Sequence, residues 1–240
     1  VTGQRELDWD GCYNARDLGG LPTADGRTTR WGALVRADAP SGLTEAGWRA
    51  VRNHGVTTVI DLMELHERRP DAAPRPAGLT GIHVPIDGSD DEEFWAPLRA
   101  NGHWGTVLYY APFLQRFPDR IAAAVRAFAE APAGGVLLHC GRGRDRTGLV
   151  SMVLLSLAGV GPADIIEDYR ASDGDRVVAR RAALGMNDDT TRVEAIYQRA
   201  GSTSGAAVAD VVRSLDAVSL LFSGGLTHAD IDRARVRLVA

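Results

Sequence analysis

Residues His139 to Gly148 read HCGRGRDRTG, a glycine- and arginine-rich loop between an apolar run, Val136 to Leu138, and an apolar helical stretch, Thr147 to Leu157. No other segment restricts the fold as tightly. A buried strand that feeds a core helix through so short a loop belongs to an α/β protein, and it leaves the loop at an anion-attracting helix terminus. Gly141 and Gly143 are expected to adopt the dihedrals that turn successive N–H groups inward as a nest for phosphate oxygens. Arg146 can close such a nest with two parallel hydrogen bonds, which the point charge of a lysine cannot reproduce. Gly141, Arg142, Gly143, Arg144, Asp145 and Arg146 are therefore the expected phosphate-binding residues.

The same field acts on Cys140. A free thiol, with a pKa of about 8.5, is mostly protonated at neutral pH, but inward amides, a helix terminus and a guanidinium all favour the thiolate. The expected chemistry is in-line attack on phosphorus, a phosphocysteine, and its hydrolysis by water, which splits one difficult displacement into two easier ones. Such a scheme requires no metal and no cofactor. Thr147 is expected to cap the helix and to place a hydroxyl beside the departing sulfur.

A cysteine, five residues and an arginine, flanked by His139 and Thr147, resemble the signature of the cysteine-based protein tyrosine phosphatases. The Asp-Arg-Thr-Gly ending resembles the atypical bacterial branch of secreted mycobacterial and listerial enzymes that act on phosphotyrosine and phosphoinositides. Similarity continues in Tyr13 to Gly20 (YNARDLGG), Leu34 to Asp38 (LVRAD), Val56 to Arg68 (VTTVIDLMELHER), Asp168 to Ser172 (DYRAS) and Gly225 to Leu238. Two positions depart from that pattern. Met63 stands where the branch usually has arginine, and Arg144 replaces a loop lysine.

The resemblance implies a tyrosine-phosphatase-like fold and a hydrolase for phosphate monoesters, on phosphotyrosine or phosphoinositides. It also implies that His139 orients the loop, that an aspartate at position 87 faces the cleft, and that a helical lid follows the strand before it, here within 88–118. A phosphorylated small metabolite, such as a nucleotide or biosynthetic intermediate, is the alternative substrate. A phosphate-binding module without turnover, or a sulfur-transfer loop, is the rival from another class.

A leaving oxygen needs a proton, and two carboxyls compete to supply it. Asp145 lies between two arginines, whose charges would keep it ionised and make it a poor acid, so Asp87 ranks first and Asp145 is assigned water positioning or loop bracing. Arg142 and Arg144 either reach further anionic groups on the substrate or pair with surface carboxylates. Arg16 and Asp17 are expected to pair in a turn that supports the loop. Cys12 is a candidate for a redox pair with Cys140.

Length and charge bound the rest. A chain of 240 residues without a composition break, linker or repeat reads as one domain, 1–240. A net charge of −4, with 31 acidic residues, offers no global field for nucleic acid. No apolar run approaches the roughly 20 residues of a membrane span, and no signal pattern is visible at the amino end, so a cytoplasmic or secreted location is expected.

Strands are expected over Ala33 to Arg36, Thr57 to Asp61, Ile82 to Ile86 and Val136 to His139, and helices over Thr44 to Asn53 and Arg120 to Ala129. Together they predict a central mixed, largely parallel sheet flanked by helices, with a mostly helical C-terminal half from Pro162 onward. In that half the ADIIEDY register is expected to bury Ile165, Ile166 and Tyr169. Gly88 to Thr106 shows no clear period; it reads as a mobile segment near the cleft or as a loop with Phe94 and Trp95 tucked onto the core.

Overall fold

The computed structural model describes residues 4–186 and 190–240. Its sheet contains β1 (Arg16–Asp17), β2 (Leu34–Ala37), β3 (Val56–Asp61), β4 (Thr80–His83) and β5 (Gly135–His139), in the order β1-β2-β5-β3-β4. Only β1 and β2 pair antiparallel; the other neighbours are parallel. This is the mixed, largely parallel sheet expected.

Helices follow as α1 (Glu45–Asn53), α2 (Glu92–Ala100), α3 (Tyr110–Arg116), α4 (Pro118–Glu130), α5 (Asp145–Leu157) and α6 (Pro162–Arg170). The chain continues through α7 (Asp175–Ala183), α8 (Thr190–Arg199), α9 (Ser204–Ser214), α10 (Ala217–Ser223) and α11 (His228–Leu238), so the described part of the C-terminal half is helical.

The pleat divides the core in two. Val136 and Leu138 of β5, with Leu34 and Ile60, face a large cluster built with α3 to α6 and α9 to α11. Leu137, Val35 and Val59 face a smaller one with Trp48 and Val51 of α1 and Trp9 of the N-terminal segment. Every residue of β5 is buried, as expected of a central parallel strand covered on both faces. Thr44 caps α1 by accepting from the Gly47 amide at 3.2 Å.

Three expectations are corrected. The fourth strand ends at His83, not Ile86, because Pro85 has no N–H to continue a ladder. The segment after it is not without period: α2 forms there, capped by Asp91 and anchored by Trp95, which is 2% exposed and donates from Nε1 to the Asp87 and Gly88 carbonyls. Phe94 packs edge-on against Trp95 and Phe117, so the tucked-aromatic reading describes this segment. In α6, Ile165 and Tyr169 are buried as expected, but Asp168 rather than Ile166 completes the buried face.

Adjacent β2, β5 and β3 end in register, with Ala37, His139 and Asp61 side by side. Cys140 therefore leaves the sheet at the carboxyl ends of its central parallel strands, where open α/β sheets place their ligand sites. Among the described residues, no helix is long and apolar enough to cross a membrane.

Candidate active site

The loop leaves β5 at Cys140 and enters α5 at Asp145, two residues earlier than the apolar pattern indicates. Asp145 and Arg146 thus lie in the first helical turn, where N–H groups have no intrahelical acceptor. The amides of Gly143, Arg144, Asp145 and Arg146 have no acceptor among the described residues. Gly143 makes the turn. Its φ is 68°, and a Cβ there would lie 2.4 Å from the Ala37 carbonyl group. Gly141, in contrast, has no positive φ, so only one of the two loop glycines is needed for the backbone conformation.

A cleft of about 210 Å³ opens over this turn, lined by Cys140, Arg146, Asp87, Glu67, Tyr109 and Trp104 among others. Cys140 is buried except for this opening, at 3% exposed. Arg146 is held from the side. Its Nη1 and Nη2 donate to the two oxygens of Glu67 at 2.5 and 2.8 Å, and Nη1 also lies 3.0 Å from Asp87 Oδ2. Glu67 uses the terminal fork of the guanidinium, which leaves the Nε and Nη2 edge to bind a second bidentate anion.

Charges in the cleft divide by environment. Burial pushes the Asp87 carboxyl up to about 6; Arg146 opposes the shift, while Glu67, Glu64 and Asp145 add to it. Glu67 moves the other way: burial works against its ionisation, but its hydrogen bonds from Arg146 and the charge of that guanidinium hold it below the ordinary range. Burial, opposed by Asp61, lowers His139 to about 4, so its ring is neutral at pH 7. Its Nδ1 lies 3.4 Å from the Cys140 carbonyl, a long contact.

Other candidate residues take different places. Asp145 pairs with Arg144, not with both neighbours: Arg144 Nε donates to it at 3.1 Å. Arg144 also donates to Asp173 at 3.0 Å and to the Gly105 carbonyl at 2.8 Å, and it is 3% exposed, so its charge is spent on bracing. Arg142 lines the cleft. Thr147 lies inside α5 and does not cap it; its buried Oγ1 has no hydrogen-bond partner among the described residues. Met63, in place of the usual arginine, is buried with its sulfur under Gly141.

Arg16 and Asp17 do not pair with each other. Alternation along β1 sends them to opposite faces. Arg16 reaches Asp168 Oδ1 at 2.8 Å and Asn14 Oδ1 at 2.6 Å, while Asp17 accepts from the Gly19 and Gly32 amides and contacts His54 at 2.7 Å. Arg36 and Arg5 also bind Asp168, at 2.6 Å each. Cys12 points its thiol at Asp38 Oδ1, 2.7 Å away, and both cysteines are free.

Sequence reasoning passed over Glu67 and Asp168. Both lie in the stretches that carry the family likeness, yet one reads as an exposed charge and the other as the polar side of an amphipathic helix.

The tyrosine phosphatase family model matches residues 7–240. The chain belongs to the tyrosine phosphatase family. It is a cysteine-dependent phosphatase by that membership. A Cupriavidus necator protein that carries a tyrosine-protein phosphatase name is 32% identical over 196 residues, 78% of this chain and 72% of that protein. The triple specificity protein phosphatase PtpB of Mycobacterium tuberculosis is 30% identical over 207 residues, 75% of this chain and 72% of its own. Among solved structures, P. aeruginosa TpbA in complex with phosphotyrosine aligns over 95% of this chain and 99% of its own, with a TM-score of 0.48 at 13% identity.

Proposed function

We propose that the chain is one phosphatase unit, 1–240, that hydrolyses aryl phosphate monoesters, phosphotyrosine in the first place. The observation that carries this reading is the cleft that holds Cys140 and Arg146 at its base and Trp104 in its wall. Trp104 is 56% exposed, an apolar ring left in solvent where a substrate ring could cover it. Segment 88–118, which carries Trp104, serves in this reading as the wall that selects the leaving group.

In the mechanism, phosphate lies between the nest amides and the free edge of Arg146, and the Cys140 sulfur attacks phosphorus in line. As the P–S bond forms, the P–O bond to the leaving group breaks, and Asp87 gives its proton to the departing oxygen. In the second half, Asp87 as carboxylate takes a proton from water. The hydroxide equivalent displaces sulfur, releasing phosphate and restoring the starting cysteine. Arrival of a dianion beside Asp87 disfavours a second negative charge there, so binding itself helps to keep the acid protonated.

Hydrolysis of a phosphotyrosyl peptide, inositol phosphate headgroups and nucleoside monophosphates, each with chelator present, tests this choice. The reading expects the highest kcat/KM on the peptide, and Trp104→Ala should raise KM for aryl substrates by about 10-fold, the cost of one lost aromatic contact. A large preference for inositol phosphates or nucleotides, insensitive to Trp104, would assign the site to a different substrate class.

A further inference from the structure

Carbonyls of the catalytic loop are held from outside by donors drawn from separate parts of the chain. The Ala39 amide donates to the Gly141 carbonyl at 3.1 Å, Asn14 Nδ2 to that of Arg142 at 2.9 Å, and Arg36 Nη2 to that of Gly143 at 2.7 Å. Tyr110 donates its hydroxyl proton to the Asp145 carbonyl at 2.6 Å. Every peptide bond described is trans, and across a planar trans peptide the carbonyl of one residue and the N–H of the next point in opposite directions. A carbonyl fixed on the outside of the turn therefore fixes the following amide on the inside.

The geometry points to Asn14 and Arg36 as positioning residues for phosphate: by anchoring the Arg142 and Gly143 carbonyls they aim the Gly143 and Arg144 amides into the cleft. This rests on the phosphatase reading of the loop.

The two anchors share one foundation. Arg36 Nη1 donates to Asp168 Oδ2 at 2.6 Å, and Arg16 Nε donates to Asp168 Oδ1 at 2.8 Å. Arg16 Nη1 then donates to Asn14 Oδ1 at 2.6 Å. That contact decides which way the Asn14 amide faces, because a guanidinium can only donate: the oxygen must turn to Arg16, and the nitrogen is left for the Arg142 carbonyl. Asn14, Arg16, Arg36 and Asp168 are all buried. Water cannot substitute cheaply for a lost partner there, so a change at Asn14 is passed to the loop rather than absorbed by solvent.

Asn14→Asp separates a positioning role from a merely supportive one. It keeps the size of the side chain and the acceptor for Arg16, but it puts a carboxylate oxygen against the Arg142 carbonyl. The expected result is a rise of about 10-fold in the inhibition constant of inorganic phosphate and a similar fall in kcat on an aryl phosphate, since one oxyanion donor is misaimed rather than deleted. Asn14→Ser, which can restore a shorter donor, should recover part of both losses. Lower thermal stability with unchanged phosphate inhibition and unchanged kcat per folded molecule would overturn the assignment and leave the phosphatase reading intact.

If the aspartate variant does not fold, the wild-type protein decides: on titration with orthovanadate the Gly143 and Arg144 amide protons should shift downfield together. Vanadate binding without movement of these two resonances overturns the assignment. A wild-type protein that neither turns over aryl phosphate nor binds vanadate overturns both this and the function on which it rests.

Discussion

Two arginine and carboxylate clusters flank the same loop, and they are built in opposite ways. Behind the loop, Arg5, Arg16 and Arg36 surround the single carboxylate of Asp168. In front, the single guanidinium of Arg146 is shared by Glu67 and Asp87. In the rear cluster Asp168, Arg16 and Arg36 are buried and Arg5 is partly exposed; the excess cations are spent on carbonyl oxygens, and although burial opposes ionisation, the three arginines hold Asp168 well below the ordinary carboxylate range. The front cluster borders the cleft, where burial first, and then the charges of Glu67, Glu64 and Asp145, outweigh the pull of the shared Arg146 and leave Asp87 at about 6. A surplus of arginine thus makes a fixed support, whereas a buried carboxyl that shares its one arginine with a second carboxylate keeps a proton exchangeable near neutrality, as acid catalysis needs.

Substitutions in front should therefore cost rate with little loss of stability, while those at Asp168 behind should cost stability and, through the Asn14 and Arg36 anchors, rate as well. Cys140→Ser should show the largest effect, a loss of turnover of about 10⁴-fold or more, with a urea midpoint close to that of wild type. Loss of folding stability in that variant would contradict the division. Behind the loop, Asp168→Ala leaves buried arginines without their counter-charge and should destabilise by about 3–5 kcal/mol in equilibrium denaturation.

The sign of the linkage sharpens this. A carboxyl whose folded pKa is depressed contributes stability above its unfolded value of about 3.9, and the contribution is lost as pH falls through the lower folded value. Wild type should therefore lose this stabilisation only in strong acid, and Asp168→Ala should lack that component of its acid unfolding.

Smaller effects follow in front. Asp87→Asn should slow alkyl phosphates by about 100-fold and aryl phosphates less, because a phenolate leaves with less proton help. As the proposed acid, Asp87 would act in its protonated form, so kcat/KM of the wild type should fall as pH rises through about 6, and the variant should lose that limb. Glu67→Gln keeps one hydrogen bond to Arg146 but loses the ion pair; about a 10-fold fall in kcat/KM is expected, read from steady-state kinetics, with little change in stability.

The sheet, its central strand and the loop were legible because their signals are local: an apolar run, glycines beside a cysteine, and a helix-length apolar stretch. Asp87 was legible as a carboxylate at the end of a strand, even though Pro85 ends that strand earlier than the pattern indicates. The function of Asp168 was not, since its partners are 132 to 163 residues away, and a helical pattern gives no hint that a charged position will be buried by them. The same holds for Glu67, 79 residues from Arg146. Arg16 and Asp17 invited pairing as neighbours, but a strand sends adjacent side chains apart. For Arg144 the sequence leaves two readings open, further anions on the substrate or pairing with carboxylates; the second holds, but its partners Asp173 and Gly105 lie in contacts that no local pattern contains.

The central claim is that sulfur at position 140 and the guanidinium at position 146 hold one phosphoryl group between them. Acid quenching of the enzyme during turnover of an aryl phosphate, followed by peptide mapping, tests it most directly. The account predicts a phosphoryl adduct on the peptide that contains Cys140, absent in Cys140→Ser. Undiminished turnover in that variant, or an adduct on any other residue, would contradict it.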